Sequence, residues 1–245
     1  MDLRDRVALV TGGGIRVGRA LALALAGRGA AVAIHYHSSS DGAREVARAI
    51  VGAGGRAKTF ASDLTNARAP ESLVEDVGRE FGRLDILVNS AAVMIRTPFG
   101  EIDPRRWDDI FALNLRAPFF LAQAAAPRLR KAKGGGAIVN IADLAAFETW
   151  PGYIPHGLTK SGVVHMTRAL ARVLAPEVRV NAIAPGTVLL PDEWSRDDAE
   201  HLNATTPLKR EGTPDDVAHA MLFLLEADYV TGETIVVDGG RNIRR

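Results

Sequence analysis

Val7-Ala8-Leu9-Val10-Thr11-Gly12-Gly13-Gly14-Ile15-Arg16-Val17-Gly18-Arg19 is the stretch on which the architecture turns. Its apolar start, Val7 to Thr11, reads as a buried strand; three adjacent glycines break it, and an Ala/Leu-rich run of helical period follows at once. The glycines let backbone amides come close to a ligand, and the start of the helix offers free N–H groups and a positive dipole end. Glycines alone would be a weak signal, but between a first strand and a first helix they make a strong one for a pyrophosphate. Gly12 and Val17 are its candidate backbone contacts. A turn kept only for tight packing is the competing reading.

Outward from this unit, short apolar runs alternate with longer runs of helical period, the pattern of parallel β-α-β units. The candidate strands are Val7 to Thr11, Ala31 to Tyr36, Ala57 to Ala61, Ile86 to Asn89, Ala137 to Ile141, Val178 to Ala184 and Thr234 to Val237. Most are apolar throughout, so both faces should be covered, as in a doubly wound sheet. No linker, repeat or low-complexity segment interrupts them. The expectation is α/β: a single-domain Rossmann fold over residues 1–245, with a doubly wound seven-stranded parallel sheet that binds a dinucleotide.

Composition narrows the class further. Hydrophobic residues make up 47% and charged residues 24%, and no apolar run reaches the length of a membrane span. A net charge of +1 argues against a nucleic-acid or membrane-surface binder. The absence of cysteine removes disulfides, thiolate metal sites and thiol nucleophiles. The start of the chain has no apolar h-region, so a cytoplasmic protein acting on a small molecule is expected. The terminal Arg241-Asn242-Ile243-Arg244-Arg245 reads as a solvated tail.

The first turn resembles that of the short-chain dehydrogenase/reductase family, Thr-Gly-x-x-x-Gly-x-Gly. Thr11, Gly12 and Gly18 match, and Arg16 stands where the middle glycine usually falls. An arginine there is similar to the pteridine reductase branch, in which it reaches the cofactor's extra phosphate; a rigid guanidinium fork suits that group. The second strand ends Ile34-His35-Tyr36-His37-Ser38-Ser39-Ser40, without the acid that holds the ribose 2′-hydroxyl in NAD-preferring folds. NADP(H) is therefore the expected cofactor, with Tyr36, His37 and Ser38 near its 2′ end. His35 and His37 share a strand face, but no third ligand accompanies them, so no metal is expected.

The resemblance further implies that Asp63, with Leu64 beside it, meets the adenine edge; Asp63 as a turn or cap acid stays equally open. Asn89-Ser90-Ala91-Ala92 partly matches the family's Asn-Asn-Ala-Gly, which implies a turn beneath the cofactor with Asn89 and Ala91 in contact. Met94 falls where pteridine reductases place an aromatic ring against the pterin. A thioether lacks that area and quadrupole, so Met94 is either a substrate contact or an ordinary loop residue.

Asp143 follows the apolar run Gly136 to Ala142, while His156 and Lys160, four apart, share a helical face. The family's reaction implies a Ser or Asp that orients substrate, a Tyr that moves the proton, a Lys that assists it and binds nicotinamide ribose, and an Asn that joins the lysine to solvent through a water. By resemblance Asp143, Lys160 and Asn114 take the first, third and fourth roles, Asp143 again being similar to the pteridine reductase branch. His156 stands where the tyrosine is expected. An ammonium favours a phenolate but disfavours an imidazolium, so the lysine that helps Tyr hinders His, and an ionised Asp143 acts the other way. Tyr153 is a second candidate donor or substrate contact, although Pro155 biases Ile154 away from helical torsions and leaves Tyr153 in the loop before the helix.

Pro118 predicts a kink in a helix over Pro104 to Lys131, with Asn114 close to the break. Asn181 to Thr187 resembles the family's segment beside the nicotinamide, with Pro185, Gly186 and Thr187 as contacts. The polar stretch from Val188 to Thr206, including Trp194 as a candidate substrate contact, suits a mobile lid whose acids face solvent. The resemblance covers essentially the whole chain and implies a homotetramer built through the helices at Pro104 to Lys131 and Tyr153 to Ala175. Two functions are in view. One is an NADPH-dependent, pteridine reductase-like reductase of a carbonyl or C=N bond; the other is an NADP(H)-binding relative with weak or no catalysis that acts as a sensor or partner.

Overall fold

In the computed structural model, which describes residues 1–190 and 195–243, seven parallel strands form one sheet in the order β3-β2-β1-β4-β5-β6-β7. They are β1 (Val7–Val10), β2 (Ala31–Tyr36), β3 (Ala57–Ala61), β4 (Ile86–Asn89), β5 (Gly136–Ile141), β6 (Val178–Pro185) and β7 (Thr234–Val237), each within one residue of its expected bounds. The chain winds outward from β1 in one direction and from β4 in the other. A crevice therefore opens between them at the carboxyl ends of the strands, where α/β sheets bind ligands.

The covering helices are α1 (Arg16–Gly27), α2 (Ser40–Gly52), α3 (Ala69–Phe81), α4 (Pro104–Phe111), α5 (Ala117–Leu129), α6 (Ile154–Leu174), α7 (Arg196–Thr205) and α8 (Pro214–Glu226). Strand side chains alternate between the two layers. Val7 and Leu9 pack with Leu73, Leu121 and Leu174 of α3, α5 and α6, whereas Ala8 and Val10 pack with Leu25, Val46 and Met221 of α1, α2 and α8. Burying a leucine or valine contributes about 1.5–3 kcal/mol, so apolar residues on both parities of one strand require a helix layer on each side.

Two segments differ from expectation. The helix over Pro104 to Lys131 is divided, with a π-helical turn at Ala112–Arg116 between α4 and α5. Pro118 is the second residue of α5 and has no N–H for the Asn114 carbonyl four residues earlier; the wider turn accommodates the missing bond and carries Asn114. The expected lid contains a helix, α7, started by a capping box in which Ser195 and Asp198 bond reciprocally. Asp198 is thus a cap and not simply a solvated acid. Trp194, with Asp192 and Glu193, lies outside the described residues.

Candidate active site

The carboxyl ends of the central strands open into one cleft of about 1060 Å³. Of the sequence-derived candidates it gathers Gly12, Arg16, Val17, His37, Ser38, Asp63, Leu64, Ala91, Met94, Asp143, Tyr153, His156, Lys160, Pro185, Gly186 and Thr187. Tyr36, Asn89 and Asn114 are not on its wall. Tyr36 packs against the core layer under α1 and α2, because it ends β2 on the parity of Ile34 and Val32. Asn89 donates to Asn140 Oδ1 at 2.9 Å and borders a separate, water-sized void of about 10 Å³ that also touches Asn114 and Lys160.

The glycine turn is shaped by close approach. Gly12 has φ +64, and a Cβ there would lie 3.1 Å from Ala91 Cα; a Cβ on Gly18 would overlap the Gly12 carbonyl oxygen. The Gly12 N–H is not a free donor as expected, because it is donated to His35 Nδ1 at 3.2 Å. Arg19 is the first residue of α1 whose N–H bonds back to the turn, to the Ile15 carbonyl, so the amides of Arg16, Val17 and Gly18 precede any helical partner. Arg16 is exposed at φ +50 beside them. Free amides, a guanidinium, His37 and Ser38 around a cradle that admits no side chain fit a phosphorylated dinucleotide.

His35 borders this cleft, but both of its ring nitrogens are already bonded within the protein. Its Nδ1 accepts from Gly12 and its Nε2 donates to the Ser62 carbonyl at 3.0 Å, so it ties β1, β2 and the end of β3 together. Burial pushes its pKa below the usual imidazole value. Asp63 accepts from the Thr65 amide at 2.9 Å and from its hydroxyl at 2.7 Å, which is the turn-acid reading, while still lining the cleft. Those two bonds hold its carboxyl below the ordinary range.

At the other end, Asp143 ends the segment after β5 and accepts from the Ala145 amide at 2.8 Å. Its Oδ2 lies 3.6 Å from His156 Nε2, within ion-pair reach but beyond a hydrogen bond. His156 is 2% exposed, and among the described residues its Nε2 has no hydrogen-bond partner. Lys160, one turn further along α6, is buried and donates to the Ile141 carbonyl at 2.9 Å. Burial lowers its pKa, and the Asp143 carboxylate works against that. Tyr153 precedes α6 as its N-cap residue, in the loop where Pro155 was expected to leave it.

Asn114 shares with Lys160 the wall of the water-sized void. Its Oδ1 accepts from the Val93 amide at 2.9 Å and its Nδ2 donates to the Val93 carbonyl at 2.8 Å, so the side chain clasps the backbone after β4.

Sequence reasoning missed four contributors. Thr11 Oγ1 accepts from the Ser90 and Ala91 amides and so pins the turn after β4. Thr159 sits beside Asn114, the Val93 carbonyl meets His156, and Arg241 reaches the cleft. Arg241 is not tail: it starts a C-terminal 3-10 turn, is 18% exposed in its side chain and donates to Thr187 Oγ1 at 3.3 Å. Thr11 stood in the quoted motif, and Thr159 follows His156 at helical spacing. The carbonyl and the folded-back terminus left no mark in side-chain pattern.

This is the site of a dinucleotide-dependent oxidoreductase fold. Residues 14–242 match the family model described as enoyl-(acyl carrier protein) reductase, and the chain belongs to the short-chain dehydrogenase/reductase family. It is 36% identical to D-threitol dehydrogenase of Mycolicibacterium smegmatis, over 99% of this chain and 95% of that one. It is 34% identical to a 3-oxoacyl-(acyl-carrier-protein) reductase of Staphylococcus aureus, over 95% and 96%. A crystal structure described as a short-chain alcohol dehydrogenase from Sinorhizobium meliloti 1021 superposes with a TM-score of 0.94 at 36% identity, covering 100% and 99% of the two chains. A blue fluorescent protein from a metagenomic library, in complex with NADPH, gives 0.90 at 32% identity, covering 98% and 99%. Among the described residues no helix is long and apolar enough to cross a membrane.

Proposed function

We propose that this protein is an NADPH-dependent reductase that converts a carbonyl or C=N bond of a small substrate, with His156 as the proton donor. The observation that carries the reading is the buried His156 Nε2, without a hydrogen-bond partner among the described residues, on the cleft wall beside Asp143 and one helical turn from Lys160. NADPH supplies a hydride from its nicotinamide. The amides of Val17 and Gly18 and the Arg16 guanidinium bind its phosphates, with His37 and Ser38 at the 2′ end, Asp63 and Leu64 at the adenine end, and Ala91, Pro185, Gly186 and Thr187 along the nicotinamide half. The NADPH-bound relative and the absence of an acid after β2 support the phosphorylated cofactor.

Lys160 binds the nicotinamide ribose, Asp143 orients the substrate, and His156 gives the substrate oxygen or nitrogen its proton. Arg16 and Asp143 support a pteridine reductase-like preference for a flat heterocycle. Such a ring would pack by Met94, which is 50% exposed, and by Tyr153, whose ring meets Trp150 edge-on at 6.3 Å. The apolar residues exposed on the long helices, Phe119 and Phe120 of α5 and Leu158 and Val173 of α6, support a homotetramer built through those faces.

NADPH oxidation across dihydropteridines, small ketones and quinones tests the reading. Turnover with at least one class is expected; tight NADPH binding with no turnover on any of them would instead favour a cofactor-binding sensor, the reading that the tyrosine-to-histidine difference at position 156 also supports.

A further inference from the structure

We infer that the Val93 carbonyl fixes the tautomer of His156, so that Nε2 alone moves the proton: as an acid in reduction when the ring is charged, and as a base in oxidation when it is neutral. This rests on the proposed redox function and specifies how the same site sets the direction of the reaction.

The argument starts from a backbone amide. The Val93 N–H donates to Asn114 Oδ1 at 2.9 Å, which settles the orientation of the Asn114 amide. Its two Nδ2 hydrogens are then accounted for, one to the Val93 carbonyl at 2.8 Å and one to Thr159 Oγ1 at 3.3 Å. Thr159 can accept because its own hydrogen goes to the His156 carbonyl at 2.7 Å. Asn114 therefore has no hydrogen left for His156 Nδ1, 3.5 Å away.

Nδ1 lies 3.2 Å from the Val93 carbonyl oxygen. A carbonyl only accepts, so two lone pairs would oppose each other unless Nδ1 carries a proton. With Nδ1–H fixed there, the neutral ring has a bare Nε2, and a proton on Nε2 makes the ring an imidazolium. The Asp143 carboxylate, 3.6 Å from Nε2, is the counter-charge for that form. The other titratable or charged groups around this part of the cleft are Lys160 and Tyr153 beside α6, Asp109 on α4, Arg96 after β4 and Arg241 in the C-terminal turn. Among the described residues only Asp143 is within ion-pair distance of the ring.

In reduction of a ketone the carbonyl carbon receives the hydride and the oxygen receives the Nε2 proton. The C=O π bond would open to an alcohol, with its two electrons supplied as hydride by bound NADPH, and His156 would become neutral. Asp143, 24% exposed in its side chain, connects Nε2 to solvent for reprotonation. Oxidation of the alcohol runs through the same atoms in reverse, with the bare Nε2 taking the hydroxyl proton. The two directions must therefore depend oppositely on pH. Asn114 and Thr159 are positioning residues that act through the tautomer.

The test uses the full chain labelled with ¹⁵N-histidine, with long-range ¹H–¹⁵N spectra recorded across pH and His156 assigned by its loss in His156→Gln. The neutral ring is expected to show a protonated Nδ1 and a bare Nε2. Thr159→Val, which returns one Asn114 hydrogen to the Nδ1 contest, should add a visible Nε2–H population. With a substrate that turns over, reduction should fall and oxidation rise by about tenfold per pH unit on the two sides of one shared inflection. That inflection should be absent in His156→Gln. A neutral Nε2–H tautomer in the unaltered protein, or equal pH slopes in the two directions, overturns the inference. The expected tautomer without turnover on any substrate would overturn the redox reading and leave the tautomer assignment standing.

Discussion

His35 in β2 and His156 in α6 are each 2% exposed, yet their surroundings differ at one atom. Around His35 both ring nitrogens are used, one by the Gly12 amide and one by the Ser62 carbonyl. Around His156 one nitrogen meets the Val93 carbonyl and the other, on a wall of the cleft, has no partner among the described residues. The first region behaves as a brace for the cofactor turn. The second keeps a buried polar atom unsatisfied, which costs about 1–3 kcal/mol and is rarely retained without a use. Depth and residue type are the same, so the hydrogen-bond account, atom by atom, separates a structural histidine from a chemical one.

Exchanging the two side chains for neutral substitutes should break the comparison most sharply at His156. His156→Asn can keep a donor to the Val93 carbonyl, because its amide falls where Nδ1 does, but has no group that titrates, so steady-state reduction should fall by roughly 10²–10⁴-fold while the thermal midpoint hardly moves. An equal loss of stability would mean that His156 is a second brace. His35→Leu should do the reverse and lower stability in chemical denaturation by about 1–3 kcal/mol, since the Gly12 amide and Ser62 carbonyl lose their partner. At saturating NADPH its turnover should stay close to that of the unaltered protein.

The smallest expected effect is on pH-dependent stability. Burial lowers the His35 pKa, so between the folded value and the ordinary value of about 6.5 the unfolded chain binds the extra proton. The contribution of His35 is then fully present above about pH 6.5 and is lost as pH falls toward the folded value. Denaturation midpoints measured from pH 7.5 downward should show this decline, and in His35→Leu it should be shallower. An unchanged slope would mean that His35 carries no such linkage.

The fold was legible because its signal is local. A continuous apolar run of four to six residues next to a glycine or a helical run has one stable solution, a strand covered on both faces, and the central strands β2, β1, β4, β5 and β6 are buried accordingly, whereas the edge strands β3 and β7 are only partly covered. The turn at Gly12 to Gly18 and the spacing of Asp143, His156 and Lys160 were legible for the same reason, since helical and strand periods decide which side chains share a face. Contacts that cross the chain were not legible: Arg241, read as tail, folds back to Thr187, and the Asn114 side chain reaches the Val93 backbone. Tyr36, read as a cofactor contact, ends β2 on the core parity. The helix in the expected lid, by contrast, did have a local mark in Ser195 and Asp198, spaced as a capping box before an otherwise polar run.

By itself the sequence determined the sheet, the dinucleotide turn, the absence of an acid after β2 and the placing of His156 four residues before Lys160, all consequences of residue type and spacing along the chain. Only the tertiary structure decided which histidine nitrogens are used and which one is bare. The partners that settle it are backbone groups, the Gly12 amide and the carbonyls of Ser62 and Val93, which are chemically alike in nearly every residue and become distinct only when folding places them.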